Sequence, residues 1–391
     1  MRLKNDGMID LWTRHGGNAT EGAVSGSLRT ARARRLHRYD DMRRRSLMKV
    51  ITIEEHWTTP GIDRALRAQP MRSRDESVAL NDRGDIPGRL LDIGEQRIAA
   101  MDAAGIDLQI LSLAPPGTHG LPAREAVALS REANDLASEA VGRHPTRLRA
   151  MTTLPMSDPD AAVTELQRIA DSPAHVGIMS YGRSGDRPLD DPAYDELLAT
   201  AAALGRPVFI HPQIPSNAVR DASYRGFDPT VELALATFGW GWHIEAGIAA
   251  LRLILRGTFD RHPDLQIVLG HWGEMLLFAL DRVDSLSNVA TGLDRRVAEY
   301  FRNNVHIATS GMLTPRLLRH ALDFTTIDRI LLSGDYPFHR LDAAALTDFL
   351  GTLPDREDRH KVAYANARAL YRLEPSAPGP DAETARLLEQ S

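Results

Sequence analysis

The chain has 391 residues, 43% of them hydrophobic and 25% charged, with a formal net charge of −5 and no cysteine. This is the composition of a globular protein with ample core, and its mild acidity excludes a generally basic nucleic-acid binder. Disulfides and thiolate metal sites are excluded, so any metal must sit on His, Asp or Glu, and no apolar run approaches the ~18 residues of a membrane span.

Residues 1–47 differ from the rest. They are polar and end in an arginine-dense run from Arg29 through Arg45. No apolar h-region follows an early charge, so a secretory signal is not expected. A disordered basic tail is the preferred reading. A translated leader before a natural start at Met48, and an arm for an acidic partner, are the others. A cytoplasmic location is expected, in keeping with the lack of cysteine.

From Lys49 onward short β-branched runs alternate with helical stretches. The first strand is predicted over Val50–Ile53, followed by a helix at Glu95–Ala104 stopped by Gly105. A strand at Leu108–Leu113 ends at Pro115–Pro116, and a helix covers Arg124–Val141 with Leu129, Ala133, Leu136 and Ala140 on one face. Next come a strand at Leu148–Leu154 and a helix at Asp158–Ala170, opened by Ser157–Asp158–Pro159. The fourth pair is Val176–Ser180 and Tyr194–Ala203, closed by Gly205; the fifth is Pro207–His211 and Ile244–Leu255, capped by Gly257. The last strands are Gln266–Gly270, Val305–Thr309 and Ile330–Ser333, with helices at Glu274–Val283 and Pro315–Leu322. Helices near Ala343–Leu350 and His360–Tyr371 close the domain, placing its bounds at 48–373, and 374–391 reads as a tail with a loop-like Pro375–Pro380.

Eight buried strands alternating with helices point to a (β/α)8 barrel, an α/β fold that commonly runs near ~250 residues or longer. An open doubly wound sheet would call for a Gly-rich phosphate loop after the first strand. Glu54–Glu55–His56 stands there instead, so no nucleotide or other organic cofactor is expected.

Catalytic groups of such barrels sit at the C-terminal ends of the strands. There the sequence places Glu54 and His56, His211, His271 and Asp335. Strand alternation puts Glu54 and His56 on one side and Glu55 on the other. One histidine at a strand end is more often a structural hydrogen-bonder than a ligand. Several N/O donors, spread over separate strands, suit a borderline divalent cation, zinc or alternatively manganese.

These residues sit in motifs with a known counterpart. Ile53–Glu54–Glu55–His56, Ile210–His211–Pro212, Arg261–His262–Pro263, Leu269–Gly270–His271–Trp272–Gly273–Glu274, Ala308–Thr309–Ser310–Gly311 and Ser333–Gly334–Asp335–Tyr336–Pro337–Phe338 occur in this order. Over about residues 48 to 372 the chain resembles the amidohydrolase-related branch that contains aminocarboxymuconate-semialdehyde decarboxylase and the γ-resorcylate and 2,3-dihydroxybenzoate decarboxylases. The resemblance implies Glu54, His56, His211 and Asp335 as metal ligands, His271 as the catalytic histidine and Glu274 as the acid orienting it. It implies that Arg282 binds the substrate carboxylate, in some members across a dimer interface. Pairing of Arg282 with Asp281 or Asp284 is the structural alternative.

Gln213 stands where resorcylate-type enzymes usually carry arginine, which removes a fixed cation. The aromatic run Phe238–His243 is expected to line the pocket, with Trp242 and His243 as contacts. The implied activity is metal-dependent nonoxidative decarboxylation of an aromatic or enol-like carboxylic acid, in a homodimer or homotetramer without nucleic-acid or membrane partners. Asp335 is the candidate proton donor. Hydrolysis or hydration on the same barrel is the second reading, and a noncatalytic binding barrel the third.

Overall fold

The computed structural model describes residues 48–70 and 74–373. The expectations for 1–47 and for Pro375–Pro380 lie outside these residues.

Among the described residues eight strands form the main sheet, β1 (Ile51–Trp57), β2 (Leu108–Leu113), β3 (Leu148–Thr153), β4 (His175–Ser180), β5 (Val208–Ile210), β6 (Ile267–Leu269), β7 (Val305–Ala308) and β8 (Ile330–Leu331), and Arg183–Ser184 pairs with Arg187–Pro188 in a separate antiparallel ribbon. The eight are buried on both faces, as strands covered by helices must be. Each pairs in parallel with the next in chain order. A parallel bridge between Ile53 and Ser333 joins the first strand to the end of the last, with Gly334 N donating to Ile53 O at 3.2 Å. The sheet thus closes on itself as the expected (β/α)8 barrel.

Ile51, Ile53, Leu108, Ile110, Met151, Val176, Phe209, Val268 and Leu331 fill the barrel. Tyr371 plugs one end, packed against Gly177, where a Cβ would collide with its ring. The functional groups are left to the opposite, C-terminal mouth.

Local signals set most helix ends. Asp158 caps Pro159–Arg168 by accepting from Ala161 N, and Gly205 closes Asp195–Leu204 in the left-handed conformation. One expected helix is broken and another carries a π turn. Glu274–Val283 is replaced by a kinked stretch in which His271, Trp272, Gly273, Glu274 and Met275 all have positive φ, then Leu277–Ala279 and Leu280–Asp284. The kink lets Glu274 turn back to His271 instead of projecting from a continuous helix. His360–Tyr371 divides into Arg356–His360, a π turn at Lys361–Ala365, and Asn366–Leu370. Short helices in the loops, among them Pro60–Ala68, Ile86–Leu91, Pro229–Ala236 and Val297–Asn304, lie beyond the expected elements.

β1 is longer than expected because its buried end is polar, which hydrophobic periodicity cannot register. It also carries a bulge. Thr52 pairs with Gln109 and Glu55 with Leu111, so β1 has one residue more than β2 across this step, and Glu54 takes φ 63. Ile51 and Ile53 face the interior. Uninterrupted alternation would turn Glu55 inward and Glu54 and His56 outward. The extra residue reverses that parity, and His56 then pairs with Ser112 on the inner side.

Candidate metal centre and adjoining imidazoles

Glu54, His56, His211 and Asp335, all buried, each offer one ligand atom, and these atoms lie within 4.8 Å of one another. His56 Nε2 is 3.3 Å from Asp335 Oδ1, and His211 Nε2 is 3.6 Å from Glu54 Oε1. Glu54 comes from the bulge, His211 follows β5, and Asp335 follows β8 with φ 55.

The surroundings orient each donor. His211 Nδ1 donates to Pro212 O at 2.7 Å, which leaves its Nε2 lone pair toward the cluster. His56 Nδ1 contacts Ser112 Oγ at 3.2 Å. Glu54 Oε2 accepts from Ser310 Oγ (2.5 Å) and Ser333 Oγ (2.6 Å). Glu54 Oε1 and His56 Nε2 are buried without a hydrogen-bond partner. Buried polar atoms are normally satisfied, so two orphaned acceptors within a cluster whose ligand atoms lie within 4.8 Å of one another fit a divalent cation. The donor chemistry, two imidazoles and two carboxylates, also fits.

Electrostatics point the same way. Burial pushes Glu54 up to about 8, with His271 opposing the shift and Asp335 adding to it. Burial, with His56 and His271 next, pushes His211 down to about 3, so the ring is neutral as a ligand must be. Asp335 is held below its usual range: burial opposes this, but His56, His339 and His271 outweigh it.

Beside the cluster, Glu274 bridges two imidazoles. Its Oε1 lies 2.8 Å from His271 Nδ1 and its Oε2 lies 2.7 Å from His243 Nδ1. Burial alone would neutralise both members of the His271–Glu274 pair. Their mutual attraction prevails, with His271 raised to about 10 and Glu274 lowered to about 2. His271 N also donates to Ser310 Oγ at 2.8 Å, so one serine links the histidine to Glu54.

The other expected residues fall into different places. The Trp242 ring stands 6.1 Å from that of His211, and its indole nitrogen is buried without a partner. His243 turns to Glu274 and to Phe238 O (3.1 Å). Gln213, in the orientation that satisfies its amide, donates to Tyr181 O (2.7 Å) and Arg183 O (3.3 Å), so the side chain braces main chain. A cleft of about 910 Å³ adjoins it, lined also by His119, Arg183 and Arg220 but by none of the four clustered residues. Arg282 is exposed and, among the described residues, makes no ion pair; Asp284 is taken by Arg296 at 2.5 Å. The roles of Ser310 and Ser333 were not foreseen, although both lie in recognised motifs. Phe338 (5.6 Å from the His56 ring) closes one of those motifs, whereas Ser112 and His339 (3.8 Å from Asp335) stand outside them.

The family model described as amidohydrolase matches residues 83–373. The γ-resorcylate decarboxylase of Rhizobium radiobacter is 37% identical over 306 residues, covering 74% of this chain and 90% of the relative. Among solved structures, 5-carboxyvanillate decarboxylase from Sphingomonas paucimobilis is 32% identical with a TM-score of 0.76, over 84% of this chain and 100% of that one. A dihydroxybenzoic acid decarboxylase from Polaromonas sp. JS666, with bound manganese and the inhibitor 2-nitroresorcinol, is 31% identical with a TM-score of 0.72, over 84% and 98%. A closed parallel barrel, a buried two-histidine, two-carboxylate cluster at its mouth and similarity to these enzymes over about three quarters of the chain or more lead to one assignment: the chain belongs to the amidohydrolase family, in its decarboxylase branch.

Proposed function

We propose that this protein is a metal-dependent nonoxidative decarboxylase of an aromatic acid with a hydroxyl beside the carboxylate. The observation that carries the reading is the convergence of Glu54, His56, His211 and Asp335, with two orphaned acceptors, next to the His271–Glu274 pair. The named relatives, all decarboxylases of aromatic acids, support it. Manganese is favoured by the ion in the Polaromonas enzyme, and zinc suits the same ligands.

Glu54, His56, His211 and Asp335 would hold a divalent ion, which would supply Lewis-acid stabilisation of the substrate. The remaining work falls to side chains. Asp335 is ionised in the resting site, so it accepts the proton that the substrate brings. It then delivers that proton to the ring carbon bearing the carboxylate. The C–C bond breaks, its electron pair returns to the ring, and CO2 leaves. His271, fixed through Nδ1 by Glu274, presents Nε2 toward the site and stabilises the phenolic oxygen as charge develops there. His243 holds the other Glu274 oxygen and so acts through that pair. Trp242 lines the pocket as an indole donor and apolar wall.

Arg282 carries its charge outward, four residues after Phe278, which is 82% exposed. We place both at a homodimer interface, from which Arg282 reaches the carboxylate in the neighbouring site. No helix among the described residues is long and apolar enough to cross a membrane, and a cytoplasmic location remains part of this reading.

The test is metal analysis followed by incubation with a panel of hydroxybenzoates, monitoring ultraviolet change and CO2. Metal-dependent CO2 release from an ortho-hydroxy acid is expected. Hydrolysis of a lactone without CO2 from any such acid would overturn the reading.

A further inference from the structure

Glu55 stands between two of the clustered residues but faces away from them, on the outer side of β1, and is completely buried. A buried carboxylate with no part in the chemistry needs a structural reason. Its Oε2 accepts from Gln109 Nε2 at 2.7 Å, and its Oε1 accepts from the Gly334 amide at 3.0 Å. Gly334 immediately precedes Asp335, and a Cβ at this position would overlap the Glu55 carboxylate. Only glycine lets the turn approach so closely.

A buried guanidinium completes the arrangement. Arg97, on Glu95–Ala104, is fully buried and donates to His56 O (2.5 Å), Asp92 O (3.0 Å) and Gln109 Oε1 (3.4 Å). Its guanidinium stacks on the Tyr336 ring at 4.7 Å, and the His56 amide donates to Tyr336 O at 2.6 Å. Gln109 links the two side chains, donating to Glu55 and accepting from Arg97. The three side chains therefore tie the backbone of His56 to the 334–336 turn from the side opposite the metal cluster. Two of the clustered residues, Glu54 and Asp335, have positive φ, a conformation that non-glycine residues keep only where their surroundings enforce it.

We propose that Glu55, Gln109 and Arg97 form a positioning brace that sets metal affinity by holding His56 and Asp335 in register across the barrel seam. This rests on the reading of Glu54, His56, His211 and Asp335 as the metal centre. Partners that orient metal ligands typically matter about 10–100-fold in affinity. A purely structural brace would change stability and leave the affinity of the folded protein alone.

The experiment measures Mn2+ affinity of the full chain from the free-ion electron paramagnetic resonance signal, with circular dichroism and thermal unfolding of the metal-free protein alongside. Glu55→Gln is expected to bind Mn2+ about 10–100-fold more weakly while remaining folded, because its amide nitrogen now faces the Gln109 amide nitrogen. The exchange Glu55→Gln with Gln109→Glu restores a donor–acceptor pair, keeps an acceptor for Gly334 and retains the net charge. It is expected to recover most of the lost affinity. Unchanged affinity in folded Glu55→Gln overturns the brace, as does a folded double variant that recovers nothing. If Glu55→Gln does not fold, Gln109→Met carries the test: a several-fold loss supports the brace, and wild-type affinity overturns it. Glu54→Gln separates the two levels. If wild type binds no Mn2+, or Glu54→Gln binds it equally well, the metal centre itself is wrong. If only Glu55→Gln matches wild type, the centre stands and the brace falls.

Discussion

His175 and His211 make an instructive pair. Both are buried, at 1% and 3% exposure, and burial pushes the first down to about 4 and the second to about 3. Both are neutral rings on barrel strands. His175 opens β4, and its nitrogens are closed by Asn134 O (3.1 Å), Ser138 Oγ (3.1 Å) and Thr152 Oγ1 (3.4 Å). His211 follows β5 at the opposite end, with Nδ1 closed by Pro212 O and Nε2 turned toward Glu54. Desolvation does not distinguish a structural histidine from a candidate ligand. What distinguishes them is the end of the strand and whether carboxylates meet the second nitrogen.

The largest test of that contrast is removal of the metal or a ligand. Chelation of wild type, or His211→Ala, is expected to lower decarboxylation about a thousand-fold, reflecting several kcal/mol of Lewis-acid stabilisation. Added Mn2+ should restore the chelated wild type but not the variant; full activity in metal-free protein would end the distinction between the two ends. Next in size is His271→Asn, for which a loss of about a hundredfold in kcat, the usual worth of one donor to a developing oxyanion, is expected with metal content unchanged. Loss of bound metal instead would move His271 among the ligands.

At the other end of the barrel only stability should respond. The unfolded His175 titrates near its ordinary 6.5 and the folded one near 4. Between these values the unfolded chain binds more protons, so stability is complete above 6.5 and is lost as pH falls toward 4. The loss from this one residue is about 3 kcal/mol. Urea unfolding at pH 7 and pH 4.5 measures it, and His175→Gln should remove that part of the slope while keeping wild-type metal content. An altered metal content would join the two regions after all. The smallest effect expected is for His243→Asn, about tenfold in kcat, the worth of one charge-assisted hydrogen bond to Glu274. A change in KM alone would place His243 against the substrate instead.

Much of the barrel was legible in the chain because its signals are local. Short apolar strands, helix caps such as Asp158 and stops such as Gly205 depend on neighbours in sequence. The helices missed are short insertions in loops, where few turns are available to show a period. The expected helix over 274–283 failed because tertiary contacts of Glu274 outweigh helical propensity.

By itself the sequence determined the eight-strand rhythm, the exclusion of thiolate chemistry and which strand ends carry Glu54, His56, His211, His271 and Asp335. Alternation along β1 separated Glu55 from its neighbours but could not say which side faced inward. The bulge at Glu54 decided that, since one extra residue exchanges the two faces of a strand. Closure of the barrel then brought Ser310 and Ser333 to Glu54, and Gly334 to Glu55. Partners more than 250 positions apart leave no pattern in a single chain. They meet only because the first and last strands must satisfy each other's backbone.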